Sequence, residues 1–73
     1  GPMTKEQKEQ LDNLRARRDS FEEEHDSLVE LLATEDDPGI RKVMEEDLAH
    51  LRKMIDMFDS ALGKFGTNSA ALS

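Results

Sequence analysis

Two pairs of residues in this chain have the spacing of metal chemistry. Glu22-x-x-His25 lies in "FEEEHDS" and Asp47-x-x-His50 in "MEEDLAHLRK". Residues three apart share one face of a helix. Carboxylate-bridged di-metal bundles use that spacing on two helices and take a further Glu from each of two more. If the chain turns back on itself near Glu35–Asp37, the numbers of opposing residues sum to about 72. That register sets Glu22 beside His50 and His25 beside Asp47.

Other features of the same residues weigh against a metal. Asp47 stands where the longer glutamate belongs, and Phe21–Glu30 is so acidic that a Glu three before a His is expected by chance. His25 falls on the apolar seam of its helix, whereas His50 falls to the side of its own. No nucleophile or redox group accompanies either histidine, and a hairpin of this size encloses little space for a substrate. The expectation is therefore no enzyme, no metal and no cofactor. His25 is read as a seam histidine beside carboxylates, and His50 as a surface histidine beside Glu46.

The elements that carry these residues are two helices. Thr4-Lys5-Glu6-Gln7 fits a capping box, in which the Thr4 hydroxyl accepts from the Gln7 amide and the Gln7 side chain reaches back. About thirty residues of good helix formers follow before Pro38. Leu14, Phe21 and Leu28 lie seven apart, and Leu11, Arg18, His25 and Leu32 form the companion row. The seam of helix 1 is thus coiled-coil-like, with Arg18 and His25 as polar interruptions that can set register and oligomer state. A protonated His25 among Glu22, Glu24 and Asp26 would make the packing sensitive to pH.

"TEDDPGI" ends the first pattern. Asp37 can cap, and Pro38 suits a first helical position because its missing N–H is not needed there. So short a connection dictates an antiparallel hairpin. The expected layout is helix 1 over about 5–34, a turn at 35–38 and helix 2 over about 38–63, within a hairpin spanning 4–65. Met44, Leu48, Leu51, Ile55, Phe58, Leu62 and Phe65 form the seam of helix 2, and Gly63 is the expected stop. Residues 66–73 are read as a flexible tail. Gly1-Pro2 ahead of Met3 has the look of a residue left by tag cleavage, so the native start is expected at Met3.

The fold class is all-α. Helix 2 carries more apolar surface than one partner helix can cover: Ile40, Val43, Met54, Met57 and Ala61 lie beside its seam. A second copy is expected to cover them, pairing two hairpins into a dimeric four-helix bundle. Another protein is the alternative occupant, and methionine suits varied surfaces because it is flexible and polarizable. Met54, Met57 and Phe58 are the expected anchors.

Charge bounds the partners. The 73 residues carry a net charge of −7, with no cysteine, so disulfides and thiolate metal sites are excluded. No apolar run approaches the ~20 residues needed to span a bilayer, no signal peptide is visible, and a cytoplasmic location is expected. The net negative charge disfavours direct contact with nucleic acid or anionic membrane. Arg15, Arg17 and Arg18 form a basic cluster, but acids follow at once, and Arg15 and Arg18 are expected to pair with Asp19 and Glu22, four residues on, rather than with phosphates. From Asp19 to Asp37 there are nine acids and no Lys or Arg, so the turn end is acidic and the open end basic. Glu22, Glu23 and Asp26 are the candidates for meeting a basic partner surface, such as a DNA-binding domain.

The expected function is that of a small acidic protein-binding regulator, whether inhibitor, anti-activator or adaptor, acting sterically. A structural dimerisation or assembly module and a DNA mimic that blocks a nucleic-acid-binding cleft are the alternatives. Chains of this size and type are often small regulators from phages, plasmids or bacterial regulons, an analogy of size and fold alone.

Overall fold

The computed structural model describes the backbone of residues 1–72 and the side chains of residues 1–65. Two helices, α1 (Lys5–Ala33) and α2 (Pro38–Leu72), pack against each other as an antiparallel hairpin. Among the described residues there is no strand. The capping box at Thr4 forms as its sequence dictates: the Thr4 N–H donates to Gln7 Oε1 at 2.8 Å, and the Gln7 N–H donates to Thr4 Oγ1 at 3.1 Å.

The turn is held from both sides. Asp37 Oδ1 accepts from the Gly39 and Ile40 amides at 2.8 and 3.0 Å, which satisfies two of the orphan N–H groups that open α2. The last turn of α1 contains no basic residue of its own. Arg41 of α2 supplies one across the turn, where its Nη1 donates to the Leu32 and Glu35 carbonyls at 2.9 and 2.8 Å. A cation thus sits on the negative end of the α1 dipole.

Along the hairpin the seam repeats at spacings of three and four. Leu11, Leu14, Arg18, Phe21, His25, Leu28 and Leu32 of α1 are half-buried, and of the residues beside them only Glu22 is half-buried as well. On α2, Leu48, Leu51 and Phe58 are the buried hydrophobic residues, at 3, 8 and 9% exposure. The Phe21 and Phe58 rings stack with centroids 5.5 Å apart, and Arg17 Cζ lies 5.0 Å from the Phe58 centroid on the ring face. No described side chain is fully buried.

One boundary differs from the sequence expectation. The helix passes through Gly63 and runs to Leu72. No described glycine has a positive φ, so Gly63 does not adopt the left-handed conformation of a helix stop. A helical glycine costs only about 1 kcal/mol relative to alanine. Against that small cost, Phe65 keeps the seam going past Gly63 and shares a groove with Leu14 and Arg17. The mobility expected of 66–73 concerns residues whose side chains, and Ser73 altogether, lie outside the described residues.

The result is a rod of 55 × 16 × 13 Å with a radius of gyration of 16.6 Å, against about 11 Å for a globular chain of this length. Its accessible surface is 5519 Å², where a compact monomer of this mass exposes about 4,600 Å².

Two stability outcomes follow. Phe58→Ala should cost about 3–5 kcal/mol, as much as the ~3–5 kcal/mol that so small a core supplies, and helicity by circular dichroism should collapse. Arg41→Met should lower the unfolding free energy in urea by about 1 kcal/mol with m unchanged, while Lys42→Met stays within about 0.5 kcal/mol of wild type.

Candidate functional site

The register decides where each titratable residue goes. Arg18 Nε donates to Asp59 Oδ1 at 2.7 Å, and Arg52 Nε donates to His25 Nε2 at 3.4 Å. Each of these pairs sums to 77, not to the 72 expected from the turn position. The physical cause is the direction of side chains on a helix, which lean toward the N-terminus. In α1 that is away from the turn, and in α2 it is toward the turn. Two long side chains leaning in opposite senses therefore meet several residues out of level, and five residues correspond to about 7 Å of helix axis.

This register separates the two acid–histidine pairs. Glu22, His25 and Asp26 line a shallow groove with Arg52, Ile55 and Asp56. His50 lines another groove with Glu24, Asp47 and Leu51. His25 therefore faces a cation where Asp47 was expected. Among the described residues no group of three or more His, Asp or Glu side chains converges to hold a metal.

The polar seam residues are tied by hydrogen bonds. Besides Asp59, the Arg18 guanidinium donates to Glu22 and, at 3.4 Å, to Asp19. The hydrogen bond to Asp59 and the field of both Asp59 and Glu22 hold the Arg18 guanidinium well above its ordinary range, despite a smaller opposing effect of burial. Its positive charge is therefore present at every pH at which the hairpin folds, and this clasp makes no contribution to titration by losing a proton from Arg18. His25 Nε2 accepts from Arg52, which requires the ring proton on Nδ1, 3.1 Å from Asp26 Oδ1. Glu24, expected beside His25, lies instead in the groove of His50.

The expected anchor residues divide by burial. Ile40, Val43 and Met57 are 49, 59 and 57% exposed, and Leu31 of α1 is 58% exposed. Met54 and Ala61 are half-buried. Phe58 is taken up by the hairpin's own core, stacked on Phe21, so its ring is not a surface anchor. Ile40, Asp47, Met54 and Ala61 lie seven apart, and Val43, His50, Met57 and Lys64 form the adjacent row. Together they make a second stripe along α2, at the same spacing as the seam but offset around the helix.

The expected charge residues also divide. Glu22 and Asp26 border the groove that contains Arg52, and each already meets a neighbour, Arg18 for Glu22 and His25 for Asp26. Glu23 lies in a different groove, lined by Ser20, Glu24, Ser27 and Asp47 over a floor of Leu28, Leu31 and Leu51. That groove has acidic walls, an apolar floor and no cation. Sequence spacing had pointed to neither Asp47 nor Glu24 as its acids, nor to Asp59 as the partner of Arg18, because both assignments depend on the stagger between helices. No described helix is long and apolar enough to cross a membrane.

No family model matches the chain, and no curated protein and no solved structure matches it.

The Arg18 clasp has a direct test. Arg18→Leu should leave the thermal midpoint unchanged or raise it, because an apolar side chain fits the seam, yet it should loosen the register. Nitroxide labels on Lys8→Cys and Lys64→Cys report this: a narrow distance distribution should broaden in the Arg18→Leu background. An unbroadened distribution would show that apolar packing alone sets the register.

Proposed function

We propose that the hairpin is a non-catalytic, protein-binding regulator whose working form is a dimeric four-helix bundle. The observation that carries this reading is the second stripe of α2, on which Ile40, Val43 and Met57 are about half exposed or more. Exposed apolar residues clustered along one helix face mark a surface that another protein covers. Two hairpins joined along α2 give four helices around a shared apolar core.

Binding of a target then falls to the charged surface. The groove with Glu23 and Glu24 on its walls and Leu28 and Leu31 on its floor suits a basic segment with an apolar side, such as one borne by a DNA-binding protein. Charge complementarity steers the encounter and selects the partner. The effect on the target is steric, because the groove holds carboxylates and serines but no histidine or cation to activate them.

The experiment is a pair of variants followed by sedimentation velocity and by affinity capture. Met54→Asp with Met57→Asp should dissociate the dimer. Glu23→Lys, at a residue outside the groove that holds His50, should leave the dimer intact and lose the captured target. If the methionine variant still dimerises and still captures its target, the stripe has been misassigned. If the glutamate variant changes nothing, the chain is an assembly module without a charged docking surface.

A further inference from the structure

The stripe on α2 has a polar centre. Read from the turn outward, its two rows run Ile40, Val43, Asp47, His50, Met54, Met57, Ala61, Lys64. Asp47 and His50 interrupt the apolar series that runs from Ile40 to Ala61, with two large apolar residues on each side. Among the described residues neither side chain makes a hydrogen bond or ion pair, and both border the same groove, beside Glu24 of α1. A polar layer inside a helix–helix stripe is costly unless it finds a complementary partner, and it then fixes register and orientation.

We infer that the stripe is covered by a second copy of α2 in antiparallel register, with Asp47 of each copy bonded to the partner's His50. This inference rests on the dimer reading above. An antiparallel pair about a two-fold axis between Asp47 and His50 brings residues summing to about 97 into the same layer. Val43 then meets the partner's Met54, and Ile40 meets the partner's Met57. Every large apolar residue of the stripe meets an apolar residue, and the two polar layers satisfy each other.

Charge along the rod supports the same orientation. The acidic turn end carries Glu35, Asp36 and Asp37, and the open end carries Lys53 and Lys64. Among the described residues neither lysine has an ion-pair partner. Antiparallel pairing lays the Lys64 end of one copy beside the acidic turn of the other. A parallel pair would stack acid on acid and base on base, and would set Asp47 on Asp47. A slide of one heptad toward the open end would place Asp47 against the partner's Met57 and Ile40 against the partner's Lys64, leaving carboxylates and cations among apolar groups.

The chain has no cysteine, so introduced thiols report the register cleanly. The Val43→Cys/Met54→Cys variant, treated with a short bis-maleimide, should be trapped as a covalent dimer, while Val43→Cys alone and Met54→Cys alone should not. Along one helix these two positions lie about 16 Å apart, too far for such a linker to close within a chain. His50→Asp should raise the dimer Kd about tenfold or more, since it creates two like-charge contacts per dimer, and Asp47→Lys/His50→Asp should restore it. Trapping of Met54→Cys alone, or absence of trapping in the double-cysteine variant, overturns the register. A His50→Asp variant with unchanged Kd, or no recovery in the charge-swapped variant, overturns the polar layer. If Met54→Asp/Met57→Asp abolishes the dimer while the register test fails, the stripe still mediates self-association. A wild-type monomer at all concentrations overturns both.

Discussion

Two helices in contact touch along a single line, and each can hide only the stripe that faces the other. The features of this hairpin derive from that limit. Leu48, Leu51 and Phe58 are buried because they lie on the line, and no residue off the line can be. α2 carries two apolar stripes at the same spacing, and one neighbour can satisfy only one of them. The long thin shape, the large surface and the exposed Ile40, Val43 and Met57 are three expressions of one geometric shortage.

The same limit explains how polar residues persist in the seam. In a deep core, Arg18 and His25 would be isolated and expensive. Here the seam is one residue wide, so their stems lie between the helices while their heads reach the rim, where carboxylates and water are at hand. Arg18 reaches Asp59 and Glu22, and His25 stands between Asp26 and Arg52. Apolar side chains alone can slide along one another by a heptad with modest loss; a guanidinium held by a carboxylate on the opposite helix cannot. A few polar contacts at the edge of an otherwise interchangeable apolar row thus add a constraint on register.

Local features of the fold were legible in the residues. Thr4 and Gln7 cap α1, Asp37 and Pro38 open α2, and the seven-residue spacing of Leu14, Phe21 and Leu28 marks the buried face, because each depends on neighbours within a turn or two. What depends on the relation between helices was not legible. The stagger follows from side-chain lean, which relocated His25 from Asp47 to Arg52. Gly63 looked like a stop because glycine usually is one, yet Phe65 beyond it had a place to pack. Arg41 went unnoticed as a cap because its carbonyl partners belong to the preceding helix. The candidate site divided likewise: the stripe of α2 was readable from one helix, whereas the groove that unites Glu23, Glu24 and Asp47 needed both.

The two-sided fastening of the turn has a kinetic consequence. Asp37 and Arg41 join residues only a few positions apart, so their contacts close the shortest loop in the molecule at the smallest cost in chain entropy. Every other cross-helix contact, out to Arg18 with Asp59 at 41 residues' separation, lies farther along the same ladder. Assembly of the hairpin is then a zipper that begins at the acidic end and runs toward the termini, each rung shortening the loop that the next must close. Low contact order of this kind gives fast folding. By the same entropy argument, the contacts at the turn are the least costly to re-form once broken.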